Sequence, residues 1–322
     1  MPPGTAQPAT PVLEPVTQQF IDGLTGTPAI HTLSPEQARL TLATLQSAPV
    51  GQPGVQIEDF VLPVGPTGSL AARIVRPARS AKVLPVIMYF HGGGWVVGDS
   101  ATHDRLVREI AVGVEAAVVF IEYARSPEAR YPVAIEQAYA ATCYVVDNAG
   151  TLRIDPLRLA VAGDSAGGNV AAAVTLMAKE RRGPKIEFQA LFYPVIDAGF
   201  DTPSYAMFAD GPWLTKAAMQ WFWDAYLPDR AARTEVTASP ACAKLDQLCG
   251  LPEALIIVAE NDVLRDEGEA YARMLSEAGI RVTVVRYNGT IRDFVMLNAL
   301  ADTPAARGAI AQTVQALKAA LG

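Results

Sequence analysis

LRLAVAGDSAGGNVAAAV, residues 157–174, is an apolar run (Leu157–Ala162) that breaks at Gly163-Asp164-Ser165-Ala166-Gly167 and resumes with helical character. Strand, tight turn and helix in that order form the nucleophile-elbow pattern G-x-S-x-G. The chemistry explains the spacing. A serine on a strained turn lifts its hydroxyl above a sheet, while glycines on either side let neighbouring backbone approach. The N–H of Ala166 then lies at a helix N-terminus, where the dipole favours an oxyanion.

Outward from this stretch the same alternation repeats. Strand-length apolar runs cover Leu84–Phe90, Ala116–Tyr123, Phe188–Tyr193, Ala254–Ala259 and Val282–Tyr287, the last ending in the turn pair Asn288-Gly289. Residues 103–114, 133–148, 166–180 and 267–278 have helical spacing. Continuous apolar strands alternating with helices predict an α/β fold with a mostly parallel sheet covered on both faces. Val55–Val64 and Leu70–Val75 alternate around Gly65-Pro66-Thr67-Gly68 and read as an antiparallel hairpin. Before them, Ser34-Pro35-Glu36-Gln37 is a capping box that opens a helix running to about Gln46. Residues 197–240 interrupt the alternation; there Met219, Phe222, Trp223 and Tyr226 form one apolar helix stripe.

A second stretch carries chemistry. MYFHGGGWVVGD, residues 88–99, places His91-Gly92-Gly93-Gly94 directly after a strand. Consecutive glycines free backbone N–H groups to converge on one point, as a tetrahedral oxyanion requires, and losing one such donor costs about 3–4 kcal/mol of barrier.

HGGGW followed by GDSAGG resembles the hormone-sensitive-lipase family of α/β-hydrolases, the bacterial carboxylesterases, and the resemblance covers almost the whole chain. It implies an α/β-hydrolase fold with a helical cap. On that resemblance residues 1–50 are expected to form an N-terminal cap segment with its first ~15 residues flexible, and 51–322 the catalytic domain, with 197–240 as a second cap segment. It also implies Ser165 as nucleophile and the N–H groups of Gly93, Gly94 and Ala166 as oxyanion hole. Asp262 matches the family's acid in a D-x-L-R-D segment. Placement supports Asp262 too, because it follows the apolar run Leu255–Ala259 at a strand's C-terminal end, although Glu260 and Asp266 lie close by.

The family's base is a histidine in a segment like G-x-x-H-x-F, and here that segment reads Gly289-Thr290-Ile291-Arg292-Asp293-Phe294. Arginine, with a pKa above ~12, accepts no proton, and beside Asp262 it would pair as a cation. The three histidines are His31, His91 and His103. In the family His91 orients the glycine loop and His103 lies outside the triad; His31, in the cap, is the one whose position leaves it free to reach Ser165. Three readings stay open: an esterase impaired by Arg292, an esterase using water or His31 as its proton route, and a non-catalytic binder of small carboxylates. Trp95 and Trp213, with Phe222 and Trp223, are the candidates for an apolar acyl pocket that takes short- or medium-chain esters. No metal or organic cofactor is implied.

Composition bounds the partners. A net charge of −7 and half the residues hydrophobic argue for a globular protein that binds neither nucleic acid nor anionic membrane. No leader and no run of membrane-span length is evident, which predicts a cytoplasmic location. Cys143, Cys242 and Cys249 are odd in number and in no metal-binding spacing; buried or half-buried positions are expected for them. A last strand at the sheet edge offers a route to a homodimer.

Overall fold

The computed structural model describes residues 10–78, 80 and 82–322. Its strands are β1 (Val55–Leu62), β2 (Leu70–Pro77), β3 (Leu84–Phe90), β4 (Ala117–Ile121), β5 (Ile154–Asp164), β6 (Phe188–Phe192), β7 (Glu253–Asn261) and β8 (Val282–Ile291). They form one sheet in the order β1-β2-β4-β3-β5-β6-β7-β8. The β1–β2 and β2–β4 pairs are antiparallel, and every pair from β4 onward is parallel. The seven residues of β3 and the five of β4 are all buried. Runs with no polar face need cover on both sides, and helices supply it.

Those helices are α1 (Pro15–Gly23), α2 (Pro35–Leu45), α3 (Asp104–Val114), α4 (Val133–Asp147), α5 (Ala149–Leu152), α6 (Ala166–Glu180), α7 (Pro203–Met207), α8 (Lys216–Tyr226), α9 (Leu245–Leu248), α10 (Arg265–Glu277) and α11 (Pro304–Leu321). The expected capping box at α2 is present: the Gln37 N–H donates to Ser34 Oγ at 3.2 Å, and the Ser34 N–H donates to Gln37 Oε1 at 3.0 Å. Helix α6 is buried from Ala166 to Ala178, since small residues let it lie close to the sheet. A Cβ at Gly167 would collide with the Phe90 carbonyl. The stripe Met219, Phe222, Trp223 and Tyr226 is buried on α8. Among the described residues no helix is long and apolar enough to cross a membrane.

Three expectations are corrected. Strand β8 does not end at Asn288-Gly289 but continues to Ile291, with the register against β7 slipping between Ala259 and Asn261. Gly289 takes φ 71° there, a bulge conformation open to glycine. Its N–H donates to Glu260 Oε2 at 2.7 Å, and its carbonyl accepts from the Glu14 N–H at 2.7 Å. The loose start expected over residues 1–15 lies, for 1–9, outside the described residues. Further on the chain is tied down: Asn261 Nδ2 donates to the Val12 carbonyl at 3.2 Å. Cys143 is half-buried, but Cys242 and Cys249 are exposed, because both sit in surface turns of the segment leading to β7.

Candidate active site

Strands β3, β5, β7 and β8 run parallel, so the residues at their C-terminal ends gather at one edge of the sheet. Ser165 joins β5 to α6 with φ 58° and ψ −122°, a conformation that costs a non-glycine residue of order 1–3 kcal/mol. The Ser165 N–H donates to the Phe192 carbonyl at 2.9 Å, and the Ser165 carbonyl accepts from Val195 at 3.0 Å. The turn is therefore held from both sides by the chain leaving β6.

Gly93 (φ 99°) and Gly94 (φ 58°) follow β3 in the left-handed region that glycine alone enters freely. A Cβ on Gly94 would strike the Phe222 ring. Among the described residues, the N–H groups of Gly93, Gly94 and Ala166 donate to no protein group, so three donors are left for a ligand.

The loop and the elbow share a buried support. Asp164 accepts from Tyr89 Oη at 2.8 Å and from the Gly92 N–H at 3.0 Å through Oδ1, while Oδ2 lies 3.3 Å from His103 Nε2. Burial pushes the Asp164 carboxyl up, but the charge and hydrogen bond of His103, with the Tyr89 hydroxyl, hold it below the usual carboxylate value. Burial pulls His103 down; the Asp164 carboxylate outweighs it and raises the imidazole. The two form a buried ion pair. His91 stacks on Tyr123 at 4.1 Å between ring centroids, and its Nδ1 is 2.8 Å from the Gly92 carbonyl, which requires a proton on Nδ1. Burial, with His103 nearby, pushes His91 down to about 3, so it stays neutral and props the loop.

Asp262 follows β7. Its Oδ1 accepts from the Leu264 N–H at 3.0 Å, and its Oδ2 accepts from Arg292 Nη1 at 3.0 Å. Burial pushes the carboxyl above its ordinary value, and Arg292 offsets only part of that. The rival carboxylates are engaged elsewhere: Glu260 with the β8 bulge, and Asp266 with Arg265 and the Ser204 N–H. Arg292 is buried, and its Nε faces Asp293 Oδ1 at 3.7 Å. Its Nη2 has no partner among the described residues. Arg105 of α3 holds the segment beyond, donating to the carbonyls of Val295 (2.7 Å) and Met296 (2.8 Å).

Gly93, Gly94, Ser165, Arg292 and Asp293 line one cavity of about 310 Å³. Its other walls are mostly apolar (Ile21 and Leu24 from α1, Leu42 and Leu45 from α2, Leu214, and Met219 and Phe222 from α8), with Thr25, Thr27 and Thr41 among them. Trp213 lines it and donates through Nε1 to Asp293 Oδ2 at 2.8 Å. Trp95 and Trp223, expected in this pocket, do not line it. Trp95 is fully buried, stacked on Tyr226 at 4.0 Å and edge-on to Trp223 at 4.9 Å, so both tryptophans are core packed between the chain after β3 and α8. His31 does not line the cavity either, although its neighbours Ala29 and Ile30 do. The parts unread in the sequence are Asp164, Tyr89 and Asp293. Asp164 occupies a variable position of G-x-S-x-G, and the Asp293–Trp213 contact spans 80 residues.

Residues 87–296 match a family model described as alpha/beta hydrolase fold. Over 97% of its length the chain is 37% identical to Carboxylesterase NlhH of Mycobacterium tuberculosis, covering 98% of that protein. A putative alpha/beta hydrolase of Acanthamoeba polyphaga mimivirus is 37% identical over 95% of the chain and 88% of its own length. Among solved structures, a thermostable esterase from Pseudomonas putida superposes with a TM-score of 0.95 at 48% identity, over 98% of this chain and 99% of that one. A fungal esterase from Rhizomucor miehei does so with a TM-score of 0.92 at 41% identity, over 97% and 98%. Likeness that runs almost end to end places the chain in the alpha/beta hydrolase family, among its serine carboxylesterases.

Proposed function

We propose that the chain cleaves carboxylic esters with short or medium acyl groups through Ser165, and does so slowly because Arg292 stands where the base belongs. The carrying observation is a strained serine and unpaired backbone donors opening onto a small apolar cavity. In this reading Ser165 Oγ bonds to the ester carbonyl carbon, and Gly93, Gly94 and Ala166 stabilise the oxyanion. The alkoxide leaves with a proton from solvent, and water then hydrolyses the acyl-enzyme. Asp262 is the acid member, Trp213 lines the substrate pocket, and residues 1–50 with 197–240 act as the cap.

The serine proton passes to water, since this scheme gives it no side-chain acceptor. A cation on Asp262 takes up the carboxylate that would orient a histidine, and losing the base of such a system removes up to ~10⁶ in kcat. Arg292→Gly would open space without restoring chemistry, so the test is Arg292→His. With p-nitrophenyl butyrate this variant is expected to gain orders of magnitude in kcat; an unchanged kcat rejects the impairment. The route through water requires that Ser165→Ala abolish whatever hydrolysis the unaltered chain performs.

A second reading is a non-catalytic binder of carboxylates on the same fold. The unpartnered Arg292 Nη2 favours it.

A further inference from the structure

Arg292 is 1% exposed, yet only part of its guanidinium is used. Nη1 is spent on Asp262, Nε faces Asp293, the guanidinium carbon lies 5.4 Å from the centroid of the Tyr193 ring, and Nη2 has no hydrogen-bond partner among the described residues. A buried polar group left without a partner costs about 1–3 kcal/mol, and more when charged. Arg292 lines the cavity that Ser165, Gly93 and Gly94 also line, and the glycine N–H groups are unpaired as well. Ala166, whose N–H is likewise free, opens the 15-residue helix α6 with its dipole directed at the same place. Unmet donors of two kinds, backbone N–H groups and one corner of the Arg292 guanidinium, thus lie at a cavity whose remaining walls are mostly apolar, with Thr25, Thr27 and Thr41 among them.

What satisfies such a set is a planar anion with two oxygens and an apolar tail. We propose that this chain binds small monocarboxylates, the acid half of the esters its pocket admits, with one oxygen on the backbone N–H groups and the other on Arg292 Nη2. The inference rests on the reading of the Ser165 cavity given above and names its ligand class. A guanidinium corner binds a carboxylate by a charge-assisted hydrogen bond, about twice as strong as a neutral one. A carboxamide of the same shape offers that corner only a neutral acceptor. A sulfate adds oxygens and a second charge that mostly apolar walls solvate poorly. As an esterase the chain would retain its own acid product; as a binder it would hold the same acid as its ligand.

The test is calorimetric titration near neutral pH with sodium butyrate, butyramide and sodium sulfate, on the unaltered chain and on Arg292→Gln and Arg292→His. Butyrate is expected to bind ~10- to 100-fold more tightly than butyramide, with sulfate weaker still, and both variants should lose that advantage. Equal affinities for butyrate and butyramide, or butyrate binding unaffected by either substitution, overturn the proposal. Arg292→His separates this from the esterase reading. A gain in hydrolysis with unchanged butyrate affinity removes the carboxylate site and keeps the esterase. Lost butyrate affinity with no gain in hydrolysis keeps the site and removes the impairment. Should Arg292→Gln fail to fold, Arg292→His carries the comparison.

Discussion

Asp293 sets the charge of the cavity. It sits at φ 62°, accepts from Trp213, and faces the guanidinium of Arg292. Burial, opposed by Arg292, pushes its carboxyl up to about 6, with Asp164 and Asp262 adding to the rise. Asp164 is paired with His103 and Asp262 with Arg292, so Asp293 is the carboxyl poised to change charge near neutrality. Its negative charge opposes a bound carboxylate. Butyrate affinity should therefore rise as pH falls through about 6, and Asp293→Asn should flatten that slope; a slope that survives the substitution rejects Asp293 as its origin. Ser165 offers a second single-residue prediction. Glycine tolerates φ 58°, so Ser165→Gly should relieve strain and stabilise the chain by about 1 kcal/mol while removing hydrolysis. Urea unfolding of the two chains gives the answer.

Helix α2 ties the N-terminal segment to the chain after the glycine loop and to the chain beyond Arg292. Near its start Arg39 donates through Nε to the Val96 carbonyl (2.8 Å) and through Nη2 to the Ser126 carbonyl (3.0 Å), and it pairs with Glu128. Just past its end, buried Gln46 donates to the carbonyls of Thr102 (2.7 Å) and Met296 (3.0 Å) and accepts from the Asn298 N–H (2.9 Å). The Glu128 side chain is 62% exposed, so the ion pair matters less than the backbone contacts. Gln46→Ala strands several buried groups and should cost about 1–3 kcal/mol. In an Arg292→His background it should also raise KM for p-nitrophenyl butyrate more than it lowers kcat, since α2 forms a wall of the pocket. Unchanged KM would show that α2 does not hold that wall. The start of this helix was legible because Ser34 and Gln37 cap it locally. The elbow and glycine loop were legible for the same reason, each being one contiguous stretch with its own backbone demand. Trp95 was not: its neighbour Tyr226 lies far along the chain, and nothing local distinguishes a tryptophan facing a pocket from one facing α8. The run of β8 past Asn288-Gly289 was hidden likewise, because β7 and the N-terminal segment supply the partners that turn a turn signal into a bulge.

The Asp164–His103 pair joins three parts of the molecule: the elbow after β5, the glycine loop after β3 through Gly92, and the N-terminus of α3, which reaches through Arg105 to the segment beyond Arg292. Both partners are fully buried, and removing one side of such a pair typically costs about 3–5 kcal/mol. The two shifts set the pH range of this contribution. Asp164 is lowered on folding, so its share is present above the unfolded carboxylate value and is lost as pH falls through the folded one. His103 is raised, so its share is full below the unfolded histidine value and is lost as pH rises through the folded one. Together they stabilise most in mildly acidic solution. His103→Gln should therefore lower the urea midpoint most near pH 5–6, with the deficit shrinking toward pH 9 as the native imidazole loses its proton. A deficit constant across that range would mean that His103 contributes packing and hydrogen bonding rather than charge. Because the same pair anchors Gly92, the variant should also slow hydrolysis in an Arg292→His background while leaving KM little changed, as expected for a displaced oxyanion loop in an intact apolar pocket.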